Sequence, residues 1–322
     1  MVLLEVEHLT IDYKTRKGIV RAVNDVSFSM EKGETLGLVG ESGSGKSTLG
    51  LSLLRLIPFP GVITSGNIRL EEKDILSLRD KEMRSVRGSK VALVFQNPMT
   101  SLNPVKKIGE HFVEFLRTHK PHLSKKEALE HSKKILDELG IPDERINDYP
   151  HQFSGGMRQR IMIGLAITLN PSLVIADEPT TALDVIVQDK ILDLLRDLSR
   201  THNMGLILIT HDLSIVLERC NKIFVMYAGH QVEYGKSKEL YRNPKHPYTQ
   251  GLLRSIPNIE LADQRLSAIP GSPPDMLNVP TGCPFWPRCP DAMKICKIKV
   301  PPITSLGDGH VVKCFLYGGK EP

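Results

Sequence analysis

The chain has 322 residues, 40% hydrophobic and 25% charged, a balance that is typical of a folded globular protein and excludes a disordered one. The net charge of +5 is small and scattered, so composition does not favour nucleic acid as a partner. The opening MVLLEVEHLT lacks the basic leader of a secretory signal, and the longest apolar stretch, near IMIGLAITL, is shorter than the roughly 20 residues that span a bilayer. We therefore expect a cytoplasmic protein.

Strand and helix patterns alternate along most of the chain. The early segments LLEVEHL and NDVSFSM alternate like half-buried strands and predict a small antiparallel subdomain. Short β-branched runs bounded by turn residues predict five further strands, at residues 35–40, 91–96, 172–177, 205–210 and 222–227. Helical patterns between several of them predict an α/β fold with a mostly parallel core sheet.

The stretch GESGSGKST follows the first of these five strands and precedes a helical pattern. Its spacing fits G-x-x-x-x-G-K-[ST], the phosphate-binding P-loop. Glycines let backbone NH groups turn toward phosphate oxygens, and the following helix adds the positive end of its dipole. We expect Lys46 to reach the β- and γ-phosphates and Ser47 to hold Mg²⁺. The predicted nucleotide contacts of the loop are Gly40, Ser42, Gly43, Ser44, Gly45, Lys46, Ser47 and Thr48.

Residues 103–164 differ from the rest and predict an inserted helical subdomain. Ser124 and Glu127 have the spacing of an N-terminal capping box, and Gly140 stands where a C-terminal cap belongs. Near the end of this region, FSGGM (residues 153–157) is a serine-glycine pair without a lysine. Because a helical insertion separates it from the P-loop, we expect it to serve the nucleotide of a second chain.

Asp177 and Glu178 end the predicted strand SLVIAD and precede a proline. Adjacent residues of a strand point to opposite faces, so the two carboxylates are expected to have different roles. We assign Asp177 to Mg²⁺ and Glu178 to the general base that activates the attacking water.

The C-terminal tail is rich in proline and cysteine. Nine prolines fall between Pro270 and Pro302 and exclude most regular helix. Such a segment usually needs a covalent or metal cross-link for stability, and disulfides are disfavoured in a reducing cytoplasm. Four cysteines could bind metal: Cys283, Cys289, Cys296 and Cys314. Their gaps are wider than zinc favours and their Cys-Pro steps are typical of iron-sulfur ligation, so a [4Fe-4S] cluster is preferred, with zinc or unliganded thiols as alternatives. Cys220 is expected to be a buried core residue.

Together the P-loop, Gln96, FSGGM, the Asp177-Glu178 pair, Ala182-Leu183-Asp184 and His211 resemble the ATP-binding subunit of ABC transporters. The resemblance covers about the first 250 residues. It implies a P-loop NTPase in which two subunits sandwich each ATP, one giving its P-loop and the other Ser154, Gly155 and Gly156. It further implies that Gln96 contacts Mg²⁺ and the water, that His211 contacts the γ-phosphate, and that Tyr13 stacks on adenine. Met157 departs from the commonest signature, which has glutamine there.

The tail segments HPYTQGLL, IPGSPPDM and CPFWPRCP resemble the C-terminal extension of ATPases from dipeptide and oligopeptide importers, a group that includes nickel and some sugar-oligomer systems. The resemblance implies two transmembrane permease subunits, a second homologous ATPase and an extracytoplasmic peptide-binding protein as partners, and a place at the cytoplasmic face of the inner membrane. The expected domains are residues 1–255, the nucleotide-binding domain, and residues 256–322, an irregular extension with the four-cysteine site.

Two other functions compete with ATP-driven peptide import. A soluble ABC-type ATPase of DNA repair or translation would carry coiled coils or a second cassette, and the sequence has neither. A free-standing P-loop kinase or hydrolase would have no use for FSGGMRQR.

Overall fold

The computed structural model describes residues 1–96, 101–181, 183–256 and 268–318. They form two compact units. The first consists of residue 1, residues 31–34 and residues 77–207, and the second of residues 2–30, residues 35–76 and the residues from 208 onward. Ala182, part of one motif named above, lies outside the described residues.

The described strands, in chain order, are β1 (Val2–Thr15), β2 (Gly18–Glu31), β3 (Thr35–Val39), β4 (Gly61–Leu70), β5 (Lys73–Asp74), β6 (Val91–Val94), β7 (Leu173–Asp177), β8 (Gly205–Thr210), β9 (Lys222–Tyr227), β10 (His230–Lys236), β11 (Thr304–Ser305) and β12 (Val311–Val312). The described α-helices are α1 (Lys46–Ser52), α2 (Asp80–Val86), α3 (Ile108–His119), α4 (Lys125–Glu138), α5 (Gly155–Ile167), α6 (Val185–Thr201), α7 (Leu213–Arg219), α8 (Ser237–Arg242) and α9 (Pro247–Arg254). None of the helices among these residues has the length and apolar character to cross a bilayer.

The second unit contains the predicted antiparallel subdomain. Strands β2, β1, β4 and β5 lie side by side in that order, and β4 is antiparallel to both β1 and β5. A separate run of neighbouring strands has the order β11, β12, β10, β9, β3, in which β3 is parallel to β9 and β9 is antiparallel to β10. The rings of Phe28 and Phe224 pack with their centroids 5.1 Å apart in the core of this unit.

In the first unit, β6 and β7 form a parallel pair in which Val91 faces Leu173 and Val94 faces Ala176. All residues of β7 before Asp177 are fully buried, as expected for a central parallel strand. The α/β fold class is confirmed. The predicted strand over residues 91–96 ends earlier, at Val94, because the ladder to β7 ends there.

The helical insertion follows its sequence signals closely. Helix α4 begins after Ser124, whose hydroxyl accepts a hydrogen bond from the Glu127 backbone NH at 3.2 Å. The Glu127 carboxylate accepts the Ser124 NH in return at 2.9 Å, which completes the predicted capping box. Gly140 has φ +66°, the left-handed conformation that ends a helix.

A buried carboxylate connects β10 to the tail of the chain. Glu233 is fully buried, and its Oε1 lies 2.8 Å from His310 Nε2. The backbone NH groups of Lys245 and His246 donate to its two oxygens at 2.7 and 3.0 Å. Glu233 also faces Val312 across the β10–β12 ladder. The tail is therefore built into the second unit through polar contacts of one side chain.

Candidate nucleotide site and C-terminal lobe

The P-loop lies between the end of β3 and the start of α1 in the second unit. Gly45 caps α1 with φ +101°, and a Cβ at this position would lie 2.0 Å from the carbonyl oxygen of Ala22. Only glycine fits there, because any other side chain would be strained and would collide with backbone. The loop conformation that the sequence predicted is thus imposed by packing as well as by spacing.

Lys46 is held by the loop that it belongs to. Its residue is 5% exposed, and its ammonium donates to the carbonyl oxygens of Gly40 at 2.7 Å and Glu41 at 2.9 Å. The Oγ of Ser44 lies 3.4 Å away. The positive charge is therefore placed inside the ring of backbone that would surround a phosphate group.

Tyr13 lies beside the same helix. Its hydroxyl is 3.3 Å from Oγ1 of Thr48, and a Cβ on Gly61 would approach its ring to within 2.8 Å. The half-buried ring thus lies near the start of α1. His211 is exposed, directly after β8.

Glu178 is the centre of a hydrogen-bonded group in the first unit. Its Oε2 accepts the Gln96 amide at 2.9 Å and the Thr181 hydroxyl at 3.1 Å. Its backbone has φ +43°, a left-handed conformation that is uncommon outside glycine and clusters at functional sites. Asp177, one residue earlier, ends β7. The structure brings Gln96 and Glu178 together although they are distant in sequence.

The serine-glycine pair begins helix α5. Exposed Ser154 is the N-cap and its hydroxyl accepts the backbone NH of Met157 at 3.3 Å. Gly155 and Gly156 form the first turn, whose NH groups have no acceptor within the helix. A Cβ on Gly156 would lie 2.5 Å from Val187 of α6, so a side chain at this position would force Val187 to move. The result is a bare helix N-terminus, suited to an anion.

The four tail cysteines lie in a compact C-terminal lobe, defined as residues 268–318. Burial raises the pKa of Cys283 to about 11 and that of Cys289 to about 12. The negative charge of neighbouring cysteines adds to both shifts. Cys296 and Cys314 raise the pKa of Cys283, and Cys283 and Cys314 raise that of Cys289. Each of the four cysteines thus interacts electrostatically with at least one of the others.

The predicted metal site is not confirmed by this arrangement. Among the described residues, no group of three or more His, Cys, Asp or Glu side chains is placed to hold a metal ion. The backbone NH of Cys283 donates to the carbonyl of Cys296 at 2.8 Å, so ordinary hydrogen bonds help to fold the lobe. Cys220, outside the lobe, is buried as predicted.

Two family models match the chain, ABC transporter over residues 23–181 and the C-terminal region of oligopeptide/dipeptide transporters over residues 232–296. The oligopeptide transport ATP-binding protein OppD of Salmonella typhimurium is 47% identical over 98% of this chain and 93% of its own length. The dipeptide transport ATP-binding protein DppD of Bacillus subtilis is 46% identical over 98% and 94%. The chain belongs to the ABC transporter family.

Solved ABC structures share its fold. The ATP-binding cassette MJ0796, solved as a dimer in a post-hydrolysis state with ADP and Pi, has a TM-score of 0.63 and 27% identity, covering 73% of this chain and 99% of that one. The cbiO1 protein of Clostridium perfringens, part of the ABC transporter complex cbiONQ, has a TM-score of 0.65 and 26% identity, covering 75% and 91%. The fold prediction of a P-loop NTPase of the ABC type is confirmed.

Sequence reasoning missed one contact of this ABC protein, between the P-loop and the C-terminal lobe. Arg288 of the lobe forms an ion pair with Glu41 of the P-loop, with Nη1 and Oε2 2.6 Å apart. The only sequence signal was an arginine between two cysteines in the proline-rich CPFWPRCP, with nothing to indicate its partner.

Proposed function

We propose that this chain is the ATP-hydrolysing subunit that drives an ABC importer of dipeptides or oligopeptides. The observation that carries the proposal is the combination, along one chain, of the ABC motifs with an oligopeptide/dipeptide transporter C-terminal region. The relatives described above are named for peptide transport and match almost the full chain. Import of nickel or sugar oligomers and a non-transport ATPase are the alternatives.

The proposed nucleotide contacts are assigned from the sequence motifs. The P-loop residues bind the phosphates, Tyr13 stacks on adenine and His211 contacts the γ-phosphate. The Mg²⁺ ligands are Ser47, Gln96 and Asp177, whose hydroxyl, amide and carboxylate oxygens are what this ion prefers. Bound Mg²⁺ neutralises charge that develops on the phosphates.

Glu178 is proposed as the general base for hydrolysis. It takes a proton from the water that attacks the γ-phosphate, and the phosphate bond to ADP breaks as the new bond forms. The amide of Gln96 and the hydroxyl of Thr181 both donate to the same oxygen, Oε2. These two hydrogen bonds position the carboxylate that we propose as the acceptor of the proton from water.

The signature helix α5 is proposed to act on the ATP of a partner subunit. Its exposed N-terminus offers NH donors and the helix dipole to the γ-phosphate without a side chain in the way. The dimeric state of the related MJ0796 cassette supports such an arrangement. ATP binding would then join two ATPase subunits, either identical or homologous, and hydrolysis would release them.

We propose two transmembrane permeases and, indirectly, an extracytoplasmic peptide-binding protein as partners, with the chain peripheral at the cytoplasmic face of the inner membrane and no role for nucleic acid. The test is to recover the tagged chain from detergent-solubilised membranes and identify its companions. Permease subunits, together with loss of peptide uptake when the gene is deleted, are expected. Recovery only with ribosomal or DNA-repair proteins, and normal peptide uptake, would overturn the proposal.

We further propose residues 1–255 as the nucleotide-binding domain and 256–322 as an extension that holds a [4Fe-4S] cluster. The donor chemistry supports the proposal, because the lobe contains four thiols and a [4Fe-4S] cluster is held by four thiolates. When bound, the cluster would supply a structural cross-link.

Anaerobically purified protein is expected to be brown and to contain iron and sulfide in equal amounts. Cys289→Ser, at the least buried of the four cysteines, should lose most of the iron. Cys220→Ser, at a buried cysteine of the same unit outside the lobe, should keep it. Metal and sulfide analysis decides the matter, and colourless protein containing zinc, or no metal at all, would contradict the cluster.

A further inference from the structure

Glu41 is a carboxylate inside the phosphate-binding loop. It follows Gly40 in the P-loop, and its carbonyl oxygen accepts a hydrogen bond from the Lys46 ammonium at 2.9 Å. Its backbone NH donates to the hydroxyl of Tyr248 in α9, also at 2.9 Å. A negative side chain at this place opposes the binding of a polyphosphate unless it is neutralised.

Arg288 supplies that neutralisation. Its Nη1 and Nη2 donate to the two carboxylate oxygens of Glu41 at 2.6 and 2.9 Å, the two-pronged geometry that makes the strongest ion pairs. The arginine side chain is 5% exposed and that of Glu41 27%. Because solvent screens the pair only partly, breaking it would expose the P-loop to an unpaired negative charge.

The guanidinium is held in place by the C-terminal lobe and its surroundings. Its Nε donates to the carbonyl of Pro270 at 2.9 Å, and the hydroxyl of Tyr227 lies 3.3 Å from Nη1. Phe285, three residues earlier, packs against Tyr227 with ring centroids 5.2 Å apart. Arg288 therefore has little freedom to follow Glu41, and its position is set by how the lobe is folded.

The cysteines bracket this arginine. Arg288 ends a short 3₁₀ turn, Trp286–Arg288, that lies between Cys283 and Cys289. The backbone NH of Cys289 donates to the carbonyl of Trp286 at 3.3 Å, so the cysteine and the turn share one hydrogen-bonded loop. Any change in the folding of the lobe would move the guanidinium relative to the P-loop.

We propose that Arg288 is a positioning residue for nucleotide binding: it neutralises and holds Glu41, and so makes the nucleotide affinity of the P-loop depend on the C-terminal lobe. The proposal rests on the proposed function in that it takes the P-loop to bind ATP. Arg288 touches neither substrate nor reacting atoms and acts only through Glu41.

The first measurement is the dissociation constant of full-length protein for MgADP, by calorimetry. We expect Arg288→Met to weaken binding about tenfold, a coupling of ordinary size between separate sites. Arg288→Lys keeps the positive charge but loses the two-pronged geometry. Its dissociation constant should therefore lie between those of wild type and Arg288→Met. Arg69→Met, which removes an exposed ion pair with Glu5 at 3.1 Å in the same unit, is the matched control and should bind normally.

The decisive variant is the double substitution Arg288→Met with Glu41→Gln. If the loss of affinity comes from an unpaired carboxylate, removing its charge in the double variant should restore most of the affinity. If Arg288 only stabilises the lobe, Glu41→Gln will not rescue binding, and the proposal fails. Thermal unfolding of each variant separates loss of fold from loss of affinity.

Reciprocity gives a second readout. Because coupling acts in both directions, MgADP should slow amide hydrogen exchange in residues 283–289 of wild-type protein and of Arg69→Met, but not of Arg288→Met. Equal protection in all three would overturn the coupling. If wild-type protein does not bind MgADP at all, the proposed function fails instead, so the two failures are distinguishable.

Discussion

Glu178→Gln is expected to lower ATP hydrolysis by about 10²- to 10⁴-fold, the usual contribution of a general base, while ATP binding is retained. Glutamine has nearly the same shape, and its carbonyl oxygen can still accept the hydrogen bonds of Gln96 and Thr181. Only the basicity is lost. Phosphate release and nucleotide binding, measured on the same preparation, separate the two effects.

A second consequence of the same substitution is a trapped dimer. If hydrolysis releases the two subunits, the variant should remain dimeric in ATP when followed by size-exclusion chromatography. Glu130→Gln, on the exposed face of α4, is the control and should hydrolyse ATP like wild type. Unchanged turnover in Glu178→Gln would remove this residue from its assigned role.

Ser154→Arg is expected to abolish hydrolysis to a similar extent, by about 10²- to 10³-fold, although the residue is proposed not to touch its own chain's nucleotide. The large side chain would fill the space in front of the α5 N-terminus, where the neighbouring glycines leave the helix bare. Binding of MgADP to a single chain should be unaffected. Steady-state phosphate release should therefore fall, while the dissociation constant for MgADP stays at the wild-type value.

Mixing two inactive variants tests whether the site is shared. Lys46→Ala spoils the P-loop and Ser154→Arg the signature, so a mixed dimer has one site with both defects and one that is intact. Partial recovery of activity on mixing is expected. Ser124→Arg, the same change at the N-cap of α4, should keep its activity. Full hydrolysis by a monomer, or no recovery on mixing, would count against a shared pocket.

Local signals predicted much of the fold and of the nucleotide motifs. The capping box at Ser124 and the P-loop around Gly45 depend on residues a few positions apart, and backbone geometry at such spacing is set by the residues themselves. The end of β6 was predicted two residues late, because Phe95 and Gln96 continue the strand pattern. The ladder instead ends at Val94, and the side-chain amide of Gln96 donates a hydrogen bond to Glu178.

Contacts between distant segments could not be predicted. Arg288 and Glu41 are 247 positions apart, and neither has a local partner that identifies the pair. The same holds for Glu233, whose hydrogen-bond partners come from two distant segments, residues 245–246 and His310. The four tail cysteines were predicted to share a metal site, but spacing along a chain does not fix the distances between sulfurs, and among the described residues no group is placed to hold a metal ion.

The network around Glu233 has a consequence for how this protein can evolve. A shortened gene product ending before His310 would remove one hydrogen-bond partner of the buried Glu233 carboxylate and leave it the backbone NH groups of Lys245 and His246, a loss that typically costs about 1–3 kcal/mol. The tail therefore cannot be exchanged between relatives as a loose module. It must be inherited together with the strand that it covers, and substitutions on one side constrain those on the other.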